Sequence, residues 1–169
     1  ITIATAGNNL KLSLKMHSIT KLWNPSNGFD HVAFTAFIQL PNKVAGVRAM
    51  PLQNANLPDD MQWHYRWRSH GWTNALFSSD TASSNSEGTI QSAGVQINTH
   101  LESQTIDVIF PSRALGNLKS LSGLKLYINT WDYDATYRPL NTRADSNTYG
   151  GGNPNDPKVM DQTSIITLP

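Results

Sequence analysis

The stretch QWHYRWRSHGWTNALF, residues 62–77, holds three of the five tryptophans of the chain, interleaved with histidines and arginines. If residues 62–68 form a strand, its two-residue period separates rings from hydrogen-bond donors. The two faces are then Trp63, Tyr65 and Trp67 against His64, Arg66 and Arg68. A turn at residues 69–71 follows, and Trp72 opens a second short strand that runs to residue 77.

Two interpretations of this aromatic face are open. Large rings on one face of a sheet are typical of a core, and this interpretation is favoured for Trp63 and Tyr65. The other interpretation is a surface on which a flat apolar ligand stacks while His and Arg side chains bind its edges. Trp72 lies next to a turn, and neither interpretation is favoured for it.

The composition indicates an all-β protein without a nucleic-acid partner. Of the 169 residues only 15% are charged, the net charge is +1, and the sequence contains no basic run suited to a phosphate backbone. Glutamate occurs only at Glu87 and Glu102, and lysine is sparse, so residues that favour surface helices are few. A chain of this length is predicted to form one domain, residues 1–169.

The absence of cysteine excludes disulfides, thiolate metal sites and a thiol nucleophile. No apolar run approaches the ~20 residues that span a bilayer, so no membrane partner is expected. The chain starts at Ile1 without a recognisable signal peptide. We therefore expect a piece of a longer, secreted polypeptide.

Alternating apolar residues predict further strands along the chain. Leucines at alternate positions from residue 10 give one buried face, whereas the segment 31–40 is apolar on both faces and predicts a central strand. The predicted strands outside residues 62–77 are 10–16, 31–40, 89–98, 105–110, 124–132 and 164–168. Their number, with turn residues between them, predicts a two-sheet antiparallel β-sandwich of the jelly-roll or immunoglobulin-like kind.

Asp132 and Asp134 form a carboxylate pair whose spacing could support chemistry. On a continuing strand they share a face, where they could bind calcium or act as a glycosidase pair. Solvated or loop-capping aspartates at a strand end are the commonest alternative. No nucleophile elbow and no zinc-ligand spacing occurs in the sequence.

The aromatic residues outside the predicted strand interiors give the stronger functional signal. Rings in loops or at strand ends are the hardest to bury, and rings that stay exposed usually bind something. A sugar offers an apolar C–H face for stacking and a rim of hydroxyls for hydrogen bonds. The candidate carbohydrate-binding residues are Trp72, Trp131, Tyr133 and Tyr137, then Trp67 and Trp23, with His70 and Arg68 for hydroxyl contacts.

Four segments, in order, resemble the C-terminal domain of glucodextranases and archaeal amylopullulanases. They are WNP at 23–25 with NGF at 27–29, QWHY at 62–65 with GW at 71–72, IDVIFP at 106–111 with ALG at 114–116, and YGGG at 149–152 with NDPKVMD at 155–161. The acidic, Gly- and Pro-rich opening that this family associates with metal binding has no counterpart in residues 1–9.

The resemblance implies a β-sandwich similar to family 9 carbohydrate-binding modules and DOMON-type domains. It also implies a non-catalytic role beside the catalytic domain of an extracellular enzyme that degrades α-glucans. We therefore expect a polysaccharide or oligosaccharide ligand such as starch, glycogen or dextran, and no cofactor beyond a structural calcium ion. A surface-attachment or packing domain is the alternative function.

Overall fold

The computed structural model describes residues 1–92 and 94–169, and its regular elements are antiparallel strands and one short 3-10 helix. The strands in chain order are β1 (Thr2–Ala6), β2 (Asn9–Lys15), β3 (Val32–Gln39), β4 (Ala49–Met50), β5 (Ala55–Asn56), β6 (Tyr65–His70), β7 (Thr73–Ser78), β8 (Thr89–Gln91), β9 (Gln96–His100), β10 (Thr105–Phe110), β11 (Lys125–Asp134), β12 (Thr136–Tyr137), β13 (Asp161–Gln162) and β14 (Ile166–Thr167).

Two sheets contain most of these strands. The small sheet has the order β1-β2-β10-β9. The large sheet has the order β12-β11-β3-β6-β7-β8, and β13 and β14 also pair with β11. The short hairpin of β4 and β5 stands apart from both. Every strand pair is antiparallel, as the alternating apolar patterns predict.

The main core lies between the two sheets. The leucines of β2 pack with alternate residues of β10 from the small sheet and of β3, β6 and β11 from the large one. Trp67 is fully buried in this core, where its ring meets that of Phe110 edge-on at a centroid distance of 6.0 Å. The predicted all-β sandwich is therefore confirmed.

The outer face of the large sheet is also largely covered. The segment between β3 and β6 folds over this face, and its Met50, Leu57, Met61 and Trp63 pack on Phe37 and Tyr127. A second small cluster joins Trp131 of β11 to residues that follow it in the chain. Strands β3 and β11 thus bury side chains on both faces.

Two details of the predicted strands are wrong. The segment 89–98 is two strands in different sheets, because β8 pairs with β7 whereas β9 pairs with β10. Gly94, with a φ of +65°, lies in the crossing between them. The strand predicted at 62–68 begins only at Tyr65, so Trp63 breaks the alternation and packs on the face opposite to Trp67.

Candidate binding site

The tip of the β6–β7 hairpin presents an exposed tryptophan. His70 pairs with Thr73, so only Gly71 and Trp72 form the turn. The Trp72 side chain at this turn faces solvent, and the residue is 54% exposed. A large ring on a rigid two-residue turn costs little conformational entropy when it binds a ligand.

The loop that precedes β3 is fastened to this turn by hydrogen bonds. The side-chain amide of Asn27 donates to the carbonyl oxygens of His70 (2.7 Å) and Thr73 (3.0 Å). The backbone N–H of Asn27 donates to the carbonyl oxygen of Gly71 at 2.8 Å. A Cβ at Gly71 would lie 2.8 Å from both the Phe29 carbonyl oxygen and the Pro25 Cβ, so this close approach requires glycine.

This loop brings Trp23 next to Trp72. Their ring centroids are 6.5 Å apart with planes inclined by only 24°, and Trp23 is 61% exposed. His31 supports Trp23 from the side, edge-on at 4.3 Å. We call Trp23 and Trp72 the two-tryptophan platform. Leu22, which precedes Trp23 in the chain, is 80% exposed.

A cluster of charged residues lies on the outer face of the large sheet. Arg66 and Arg68 both contact Glu87, with Arg66 Nη2 at 2.9 Å and Arg68 Nε at 2.7 Å from Glu87 Oε1. Burial alone would raise the pKa of Glu87, but the hydrogen bonds and charges of the two arginines outweigh it and lower that pKa. Glu87 therefore stays ionised as the counter-ion of two buried guanidinium groups.

His70 and Tyr133 cover one side of this cluster. Their rings stack at 4.1 Å with an interplanar angle of 18°, and the Arg68 guanidinium lies 5.0 Å from the centroid of the Tyr133 ring. Burial, followed by the positive charge of Arg68, lowers the pKa of His70 to about 4. The imidazole is therefore neutral at physiological pH and can both donate and accept hydrogen bonds.

A comparison with protein families now identifies the chain. Residues 1–166 match the family described as the C-terminal binding-module, SLH-like, of glucodextranase. The chain belongs to this family. The suspected glucodextranase-type resemblance is confirmed, and the family is one of binding modules rather than catalytic domains. No curated protein matches the chain.

The structure of the module buries four of the residues that the sequence suggested for carbohydrate contacts. Trp67 lies in the main core, Trp131 and Tyr137 in the outer cluster, and Arg68 under Tyr133. The expected exposure of Trp131 and Tyr137 is wrong, because residues that follow β11 fold back over them. The indole N–H of Trp131 donates to the Arg138 carbonyl oxygen at 3.0 Å, and the Tyr137 hydroxyl lies 2.8 Å from Thr35 Oγ1.

Asp132 and Asp134 face a positive side chain. Arg138 Nε lies 2.7 Å from Asp132 Oδ2, as an ion pair without a well-directed N–H bond, and Arg138 Nη2 lies 3.8 Å from Asp134 Oδ2. Within residues 1–92 and 94–169, no three His, Cys, Asp or Glu side chains are grouped so that they could hold a metal ion. Because an arginine takes the place of the cation, the two aspartates do not fit a calcium site in this module.

Sequence patterns missed how the platform is assembled. Asn27 lies in a loop whose Pro, Asn and Gly content predicts only irregular structure, and His31 lies at the start of the strand predicted at 31–40, whereas β3 begins at Val32. Their contacts with the hairpin are long-range, and no periodicity encodes them.

Across the described ranges, no helix is both long and apolar enough to cross a membrane.

Proposed function

We propose that the module binds α-glucan chains through the two-tryptophan platform and holds the catalytic domain of its polypeptide on the substrate. The observation that carries this proposal is the exposure of two nearly parallel indoles, 6.5 Å apart, on segments fixed by hydrogen bonds. The family description supports a binding role. The module itself performs no chemistry, and it works outside the cell.

The physical basis is the shape of a sugar ring. Its C–H face is apolar and flat enough to cover an indole, whereas its hydroxyl groups point outward to polar neighbours. Two indoles in almost the same orientation support consecutive sugars of one chain. Of the residues predicted from sequence, Trp23 and Trp72 supply the rings, and the partly buried His70 and Tyr133 are the candidates for hydroxyl contacts.

The test is migration of the purified module in native gels that contain soluble starch, glycogen, dextran, xylan or β-glucan. An α-glucan should retard the wild-type protein, and Trp72→Ala should weaken binding by about 1–3 kcal/mol, as expected for an aromatic anchor. Val44→Ala is the matched control, since Val44 is an 85% exposed apolar residue outside the platform. Retardation that survives in a double Trp23→Ala, Trp72→Ala variant would refute the platform.

A packing or surface-attachment domain is the second candidate function. The observation that favours it is the exposure of Leu22, which precedes Trp23 in the chain and is 80% exposed, because exposed apolar side chains can mark a protein contact. The SLH-like description of the family points in the same direction. This function predicts no retardation by any soluble glycan, together with pull-down of the module by isolated cell envelopes.

A further inference from the structure

One asparagine joins three parts of the molecule at the end where the platform lies. The side-chain amide of Asn27 donates to the carbonyl oxygens of His70 and Thr73, the two residues that pair across the β6–β7 turn. From the other side, the Thr99 hydroxyl of β9 donates to the Asn27 carbonyl oxygen at 2.6 Å. Asn27 thus connects the loop before β3, the hairpin of the large sheet and a strand of the small sheet.

The loop that carries Trp23 is also closed by hydrogen bonds of its own. The backbone N–H of Asp30 donates to the Thr20 carbonyl oxygen at 2.8 Å. The buried carboxylate of Asp30 in turn accepts a hydrogen bond from the backbone N–H of Trp23 at 3.0 Å. Because these bonds tie the loop to itself, the contacts of Asn27 with the hairpin also fix the position of Trp23.

Building on the proposed function, we infer that Asn27 is the positioning residue of the two-tryptophan platform. It holds the ring of Trp23 at the distance and inclination from Trp72 at which one glycan chain covers both. Two rings add their contributions only when a single chain reaches both in its bound shape, so their spacing matters as much as their presence. Asn27 therefore acts through the two tryptophans and needs no contact with the sugar.

The contacts explain why an asparagine stands at this position. Both partners of the amide are carbonyl oxygens, which can only accept, so the NH₂ group faces them and uses both of its hydrogens. Aspartate has almost the same shape but no donor, and its negative charge would face two carbonyl oxygens at hydrogen-bond distance. Asn27→Asp therefore breaks the link between loop and hairpin without removing volume.

The first measurement uses NMR and needs no glycan. The ring current of Trp72 acts on the neighbouring indole, so Trp72→Ala should shift the indole signals of Trp23, which are assigned by their loss in Trp23→Ala. In Asn27→Asp the same substitution should leave the Trp23 signals in place, because the rings have separated. Asn155→Asp, at an exposed asparagine in another loop, is the matched control and should behave like the wild type.

The NMR spectrum also reports whether the variant keeps its fold. The indole N–H signals of the three buried tryptophans should be the same in Asn27→Asp as in the wild type. A Trp23 signal that still responds fully to the removal of Trp72 in the Asn27→Asp background overturns the inference.

The second measurement is calorimetric titration with maltoheptaose. Asn27→Asp should weaken binding by about 5- to 150-fold, the loss expected for one aromatic anchor. Added to Trp23→Ala, it should weaken binding by less than about twofold further, because the ring that it positions is already absent. Wild-type affinity in Asn27→Asp, or a full additional loss in the double variant, overturns the positioning role.

Thr99 gives an independent test from the small sheet, which holds even if Asn27→Asp does not fold. Thr99→Val removes the hydroxyl at nearly constant volume and should weaken maltoheptaose binding, whereas Thr99→Ser keeps the donor and should bind like the wild type. Equal binding by all three proteins overturns the inference. A wild type that binds no maltoheptaose refutes the proposed function, and the NMR comparison then still decides whether Asn27 holds the two rings together.

Discussion

The five tryptophans of this module are of two kinds, buried and exposed. Trp63 and Trp67 have no exposed surface and Trp131 has 5%, whereas Trp23 and Trp72 are more than half exposed. The buried indole N–H groups of Trp63, Trp67 and Trp131 all donate hydrogen bonds, at 2.8 to 3.0 Å. Buried and satisfied rings stabilise the fold, and exposed rings remain free to bind.

Substitution by alanine should therefore give opposite results at Trp67 and Trp72. Trp67→Ala removes a ring that lies between the two sheets and should lower the free energy of unfolding by about 3–5 kcal/mol. Trp72→Ala should change it by roughly 0.5 kcal/mol or less, because the ring contacts mainly solvent. Urea unfolding followed by far-UV circular dichroism measures both. A comparable loss at the two sites would place Trp72 in the core.

His70 should make stability depend on pH below neutrality. Its pKa of about 4 in the folded module lies below the 6.5 of an unperturbed histidine, so the unfolded state binds more protons between these values. The stabilising contribution is complete above pH 6.5 and is lost as the pH falls through this range. The free energy of unfolding, measured in urea from pH 7 to pH 5, should therefore decline less in His70→Gln. The burial of His64 also lowers its pKa, and this effect is common to both proteins. Identical slopes would contradict the prediction.

At the scale of elements, most of the long strands were predictable, whereas β1 and the segments that cover the large sheet were not. The alternation in β2 and β11 fixes which side chains enter the core. The burial of Trp131 and Tyr137 depends on where residues after β11 fold. That choice is set by contacts between distant segments, which a local two-residue period does not encode.

The loop between β7 and β8 is attached to β6 through Glu87, and this attachment should be essential. Glu87→Gln removes the only charge that the two buried arginines contact within the described residues. We expect a loss of roughly 3 kcal/mol, the lower end for buried pairs because the Glu87 side chain is 25% exposed. Thermal and urea unfolding measure the loss. The control Asp59→Asn, in an exposed pair with Arg48, should cost about 1 kcal/mol or less. An equally small loss at Glu87 would show that the arginines need no counter-ion.

In the whole molecule, both faces of the large sheet are covered by other parts of the chain. This covering determines where a ligand can bind. The inner face of that sheet packs on the small sheet, and segments 41–63 and 135–163 cover much of its outer face. In the described part of the chain, exposed tryptophans then occur only at the end where β6 turns into β7 and the loop before β3 meets it. The sequence supplies both rings, but only the assembled fold brings them to 6.5 Å from each other.

Calcium should leave the stability of the whole molecule unchanged. A cation that bound only the folded state would raise the free energy of unfolding by about 2.7 kcal/mol at 100 times its dissociation constant. Arg138, however, already neutralises Asp132 and lies near Asp134, so a second cation would meet repulsion there. Melting curves in millimolar EDTA and in millimolar CaCl₂ should therefore coincide.

The Arg138→Gln variant tests this reason, because it frees both carboxylates. A calcium-dependent rise in melting temperature that appears only in this variant would show that the arginine side chain occupies the position of the ion. The same rise in the wild type would restore the calcium site at Asp132 and Asp134.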